Sequence, residues 1–283
     1  MYYLLMEQLK MDSKIILIAS SLIAALAVVS AGSGLLTDVY KNDTVSGAAQ
    51  QRGNDLIVLV LCVPLLLGSA FLAAQGSLRG RLVWTGAVFF FLYTYASQCF
   101  LTVYNHLFLA YVAAFSLSLY TFAASILTLD AGRVRESFME VPVKVTAAFM
   151  FLIAAAVAFM WLGGIILPSL LAGQRPPVLE SYTTLVIQAL DLGVIVPLAL
   201  LTGYLLLKRE AWGYTLASLV LIKGITLGTG VLSMIAFMAQ AGVEIVLPQV
   251  IIFVVLTLGA VALAVSFYGK MKAPAAAVKA AAA

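Results

Sequence analysis

Eight runs of predominantly apolar residues, each near the length that carries a helix across a bilayer, recur near 14–36, 56–75, 82–104, 107–128, 145–170, 184–207, 213–238 and 245–268. Crossing about 30 Å of hydrocarbon takes roughly 20 helical residues, and within hydrocarbon every backbone N–H and C=O must be paired inside the segment or around a closed barrel. Barrel strands are alternating segments of about ten residues, and these runs are longer and unbroken. The fold class is therefore all-α: a polytopic transmembrane helical bundle of about eight spans. Composition agrees, since 10% of residues are charged where soluble domains carry about 25%. The longest connections, 37–55 and 129–143, are too short for a separate domain. Residues 14–268 read as one transmembrane domain between an N-terminal segment, 1–13, and an alanine-rich tail, 269–283, expected to be disordered.

Basic residues sort to one side of this layout. Lys10, Lys14, Arg79, Arg81, Arg133, Arg135, Lys144, Lys208, Arg209, Lys270, Lys272 and Lys279 fall on one side; Lys41, Arg52 and Arg175 fall on the other. Cytoplasmic loops carry the Lys and Arg excess, so both termini are expected to be cytoplasmic; the chain generically resembles small prokaryotic polytopic membrane proteins, which implies a prokaryotic cytoplasmic membrane. The net charge of +4 is thus topological, not the clustered patch a nucleic-acid binder needs. Lys10 and Lys14, the apolar run and Ser30-Ala31-Gly32-Ser33 also resemble a secretory signal, but the apolar run to Leu36 exceeds the usual h-region of about 7 to 15 residues.

Two charges lie inside apolar runs. Asp191, with Gln188 one turn before it, falls in the outer half of the sixth; Lys223 lies deep in the seventh. A charge near the bilayer centre costs about 2.5–3.5 kcal/mol on insertion scales and marks a paired or functional group. Lys223 sits roughly 15 Å from the start of its span at 1.5 Å per residue, beyond the reach of its side chain to the surface. Asp191 on the neighbouring antiparallel span is its expected partner, either as a clasp between helices or as the charged centre of a cavity.

The third run concentrates aromatic and polar groups. Tyr93, Ser97, Phe100 and Tyr104 share one helical face; Phe91, Tyr95, Gln98 and Thr102 share another. Core packing with an interfacial belt accounts for these. The functional alternative is an outward-opening pocket lined by Tyr95 and Tyr104, with Gln98, Asn105 and His106 as polar anchors.

His106 is the sole histidine, which excludes a multi-histidine metal site within one chain. Cys62 and Cys99 form no C-x-x-C pattern and read as free, apolar residues. H-E-x-x-H, G-x-S-x-G and Gly-rich phosphate loops are absent, and no cofactor is implied. Gly224 and Gly228 suit close helix approach, and Pro64, Pro168, Pro197 and Pro248 are candidate kinks. Asp55, Pro64, Arg79 and Trp84 can be laid beside Asp191, Pro197, Arg209 and Trp212 as a parallel repeat of four spans, with offsets that drift. The expected activity is binding or transport of a small solute or lipid-like ligand. A non-transporting sensor or assembly subunit, then a lipid-modifying enzyme using Asp191 and Lys223, are the alternatives. Expected partners are membrane lipid and a small-molecule ligand, not nucleic acid, with self-association left open.

Overall fold

The computed structural model describes residues 11–138 and 141–272. The expectations for most of the N-terminal segment and of the tail, with Lys10 and Lys279, lie outside the described residues. Described residues are helical or connecting and include no strand. In chain order the helices are α1 Ser13–Leu36, α2 Val45–Ala74, α3 Leu78–Phe100, α4 Phe108–Leu127, the short α5 Ala131–Ser137, α6 Val143–Ala172, α7 Val186–Leu207, α8 Ala211–Gln240 and α9 Leu247–Gly269.

Local chemistry sets several starts. Asp12, Thr44, Ser77 and Asp130 each accept from a backbone N–H of the first turn of α1, α2, α3 and α5, which satisfies one of the donors a helix start leaves orphaned. The cap at Thr44 also corrects the sequence reading, which had placed 37–55 in a loop: α2 begins at Val45, and Gln51, Asn54 and Asp55 are buried helical residues. Those polar residues lowered the apolar signal without breaking the helix, because protein covers them instead of lipid. α3 stops at Phe100, short of the expected 104, where the chain turns and the Val103 N–H donates to Asp43 Oδ1 at 3.1 Å.

Seven of these helices are long and apolar enough to cross a membrane, which makes the chain an all-helical membrane bundle. α3 is the long helix outside that set. It carries Arg79, Arg81 and Gln98, yet most of its residues are buried. A helix enclosed by other helices meets little lipid, so its side chains follow protein packing rather than hydropathy.

Two hydrophobic cores divide the bundle. One joins α1, α2, α3 and α4 through Ile23, Leu66, Trp84 and Phe91; the other joins α6 to α9 through Met150, Ala199, Leu221 and Phe267. A third, small cluster of Phe89, Tyr93 and Ile195 lies at the seam. The halves repeat one another at a single sequence shift, that separating Pro64 from Pro197. At this shift the wide π turn Val58–Cys62 matches Asp191–Ile195, each ending just before its proline. Ser69 and Thr202, both bonded to the carbonyl four residues back, also match. The left-handed corners Gly76 and Arg209 correspond, as do Gly80 and Gly213, whose Cα atoms lie against the preceding helix. Buried Leu66, Ser69, Ala70 and Ala73 map onto buried Ala199, Thr202, Gly203 and Leu206. The drift seen in sequence came from pairing Asp55 with Asp191, Arg79 with Arg209 and Trp84 with Trp212, none of which keeps the proline shift; at that shift Asp55 corresponds to Gln188, one turn earlier, and Trp84 to Ala217.

The repeat departs most at the start of the second helix of each half, while α8 also runs past the position that matches the end of α3. The first half of α2 packs along α8, with Gly53 so close that a Cβ there would lie 2.5 Å from Met234 Cα. The corresponding start of α7 is unwound: its helix begins at Val186, and the chain before it is largely loop. A cavity lies where that helix would have approached α3.

Candidate functional site

Asp191 opens the wide turn of α7. Pro197 supplies no N–H and its ring crowds the carbonyl of Gly193, so the regular ladder gives way just upstream. The Asp191 carboxylate, 6% exposed, accepts from Tyr93 Oη at 2.6 Å and from Trp161 Nε1 at 2.8 Å. Trp161 comes from a second wide turn, Phe159–Ile166, which precedes Pro168. Wide turns at three prolines thus shape the protein, and two of them deliver a carboxylate and its indole donor to one point.

Lys223 reaches the same point from α8 but makes no ion pair with Asp191. Its Nζ lies 3.7 Å from the Tyr93 ring centroid, with Phe90 at 5.3 Å, and has no hydrogen-bond partner among the described residues. Tyr93 therefore stands between the two charges, its hydroxyl on the carboxylate and its ring face under the ammonium. A desolvated cation–π contact contributes about 2 kcal/mol, less than the several kcal/mol that removing an ammonium from water costs. The direct clasp expected from sequence is replaced by an aromatic bridge, because the wide turn and the tight Gly86–Ile222 contact between α3 and α8 bring α3 into the gap.

The cavity has a volume of about 380 Å³, inside the range of roughly 300–1,000 Å³ common for small-molecule sites. Tyr93, Trp161, Gln188 and Asp191 line it, Gln51, Asn54 and Ser97 line it from the other half, and Glu180 and Glu244 come from the connections at its end of the bundle. A second chamber of about 60 Å³ beside Lys223 shares Asp191, Leu227 and Phe253 with it. Since one water needs about 10–15 Å³ on this measure, a few waters fit there.

Of the residues singled out in sequence, Asp191, Lys223 and Gln188 converge here. Gln98 is buried behind the wall, donating to Gln51 Oε1 at 2.8 Å and accepting from Thr102 at 2.6 Å. Tyr95 faces the other core, beside Phe91 and Tyr111. Tyr104 and His106 are exposed, and Asn105 accepts from the Leu107 N–H at the start of α4. None of these five lines the cavity, because α3 presents its Tyr93–Ser97 face there and ends before Tyr104. Sequence reasoning missed Trp161, Gln51, Asn54, Glu180 and Glu244. A tryptophan midway along an apolar run before Gly163-Gly164 was the available signal for the first. Asp55 is a second buried carboxylate, accepting from Tyr40 Oη at 2.8 Å. Cys62 and Cys99 are both free, in line with their reading as apolar residues.

At the mouth, Asp43 Oδ1 accepts from Tyr182 Oη at 3.0 Å and from the Val103 N–H, tying three connections together. Burial pushes the Asp43 carboxyl above its usual range, against the two hydrogen bonds, and burial pushes the Tyr182 hydroxyl up to about 12. A carboxyl raised on folding contributes most below its unfolded value, about 3.9, and that contribution is lost as pH rises through the raised value. Amides 177–185 are accordingly expected to gain hydrogen-exchange protection, after correction for intrinsic rates, as pH falls through this window. Asp43→Asn should flatten that dependence; an unchanged slope in the variant sinks the assignment.

No protein family, curated protein or solved structure matches this chain.

Proposed function

We propose that this protein spans a prokaryotic cytoplasmic membrane eight times with both termini inside, and that it binds a small amphipathic solute and moves it across. The observation that carries this reading is the stacking of two compartments on Asp191: a ligand-sized cavity above and a smaller chamber below it, with a buried lysine that has no hydrogen-bond partner among the described residues. A purely structural bundle gains nothing from such a lysine, and intramembrane ionisable groups mark solute or proton paths. Two repeated halves meeting at the site supply the elements that can rock against each other, as in parallel-repeat transporters. The basic-residue excess puts the cavity mouth outside.

Leu227 lines both compartments, so Leu227→Cys, in a Cys62→Ala/Cys99→Ala background, reports access from each side. Transport predicts modification by a membrane-impermeant thiol reagent both in right-side-out and in inverted vesicles. Modification from the mouth side alone removes transport and leaves the sensor or assembly-subunit reading, in which a ligand binds without flux.

A further inference from the structure

The cavity sorts charge. Among its lining residues are three carboxylates, Asp191, Glu180 and Glu244, and no lysine, arginine or histidine. Low-dielectric walls focus the potential of such groups, and a cleft lined by one sign concentrates ligands of the other. Tyr93 and Trp161 add aromatic rings, a residue type that attracts cations, to the floor, and Val231, Met234 and Phe253 offer apolar wall. An anionic ligand drawn to Lys223 has to pass Glu180 and Glu244 and then settle beside Asp191.

Lys223 supplies the independent observation. Lys223 is 3% exposed, its ammonium has no hydrogen-bond partner among the described residues, and it lines the chamber that Asp191 also lines. Asp191 holds two neutral donors and no direct cation, while the Lys223 ammonium lies over the ring of the Tyr93 whose hydroxyl bonds the carboxylate. The chamber gives the lysine head somewhere to retreat.

We propose that the cavity selects organic ammonium ions with an apolar or aromatic body, and that Lys223 is the resident cation with which such a ligand competes for Asp191. This rests on the reading of the cavity as a ligand site. In the empty site the Lys223 charge is the long-range counterpart of the carboxylate, through the Tyr93 ring. A ligand ammonium entering from the mouth reaches Asp191 on its cavity side, takes over that role and repels Lys223 into the chamber. Departure of the ligand restores the lysine. No covalent bond is made or broken; Lys223 stays in the adjoining chamber, so ligand binding adds one positive charge to the floor, which the Glu180 and Glu244 carboxylates lining the cavity offset in part.

The test uses the full chain in vesicles with Cys62→Ala and Cys99→Ala and a reporter at the wall, Ser97→Cys. Modification rates are measured with a cationic ethylammonium and an anionic ethylsulfonate methanethiosulfonate, each divided by its rate on a free thiol. The cationic reagent is expected to be favoured by roughly tenfold or more, with the preference reduced in Glu180→Gln/Glu244→Gln. Equal rates or an anionic preference overturn the proposed class while leaving an open cavity. Failure of both reagents, when the exposed control Tyr104→Cys reacts, overturns the ligand-site reading itself. Protection of Ser97→Cys is then compared for 2-phenylethylammonium and 3-phenylpropionate. Only the ammonium should protect, and in Lys223→Met its half-protecting concentration should fall about tenfold, in the range of ordinary coupling between sites. Equal protection by the two probes overturns the ligand class, and an unchanged half-protecting concentration overturns the role of Lys223.

Discussion

Lys223→Met is expected to raise the melting temperature of the purified protein, and Asp191→Ala to lower it sharply. The lysine is a buried cation over ring faces, with no hydrogen bond or ion pair to it among the described residues. Replacing a poorly compensated buried ion by an apolar residue of similar volume stabilises by about 1–4 kcal/mol where it has been examined, and methionine follows the same stem. Asp191 has the opposite balance. Its removal strands the Tyr93 hydroxyl and the Trp161 indole N–H, and each buried donor left unsatisfied costs about 1–3 kcal/mol. Asp191→Asn keeps an acceptor and should fall between. Thermal unfolding of wild type, the three single variants and the Lys223→Met/Asp191→Ala double variant in one detergent measures all of this. Should Lys223→Met prove as damaging as Asp191→Ala, with the double variant recovering most of the loss, the two charges pair directly and the aromatic bridge is wrong. A stabilised Lys223→Met also says that the charge is kept against stability, as expected of a group retained for its function.

Gly53→Leu and Gly213→Leu should be the most disruptive single changes in the backbone framework. A Cβ at Gly53 would meet Met234 Cα at 2.5 Å, and one at Gly213 would meet the Leu205 and Leu206 backbone at 2.6 Å. Backbone cannot rotate aside as a side chain can, so the helices must separate along their contact. Overpacking a well-fitted site costs about 1–3 kcal/mol and sometimes more; with main chain on the receiving side, about 3 kcal/mol or more is expected for each. Gly80→Leu should match Gly213→Leu, since its Cβ would sit 2.5 Å from Leu72 Cβ and 2.8 Å from the Ala73 nitrogen at the equivalent corner of the first half. Gly68→Leu is the control. Nothing lies within 4 Å of a Cβ there, the repeat places Leu201 at the matching position, and its effect should stay within about 0.5 kcal/mol. Midpoints of unfolding in a denaturing detergent series rank the four. A tolerated Gly213→Leu would show that α7 and α8 do not meet at this corner.

The predicted ligand site was half legible in the chain. Asp191, Gln188 and Lys223 stood out because charge and amide groups are rare in apolar runs, and all three line the two compartments or their shared floor. Tyr93 was visible as an aromatic on a helical face, but two faces of α3 offered equally good rows. Only the rotation of α3 within the bundle chose the Tyr93–Ser97 row over Tyr95 and Gln98. Glu180 and Glu244 lie in connections, where charge is ordinary, and nothing in their spacing points to the cavity they line.

The repeat behaved in the same way. Shared prolines suggested it, yet the sequence pairing of Asp55 with Asp191 was one turn out, because two aspartates attract the eye more than a common wide turn does. Matching the wide turns, the left-handed corners and the buried rows removed the drift.

Run length, hydropathy and the distribution of basic residues by themselves determined a helical membrane bundle, because in hydrocarbon the backbone must satisfy itself within each segment and each segment can be read alone. Which polar groups meet is another matter. Tertiary packing decided it, by bringing glycines at the crossings into backbone contact, by bending α2, α6 and α7 at their prolines, and by leaving the start of α7 unwound. Those contacts join residues far apart in the chain, and the angle each helix turns toward its neighbours follows from all of them at once.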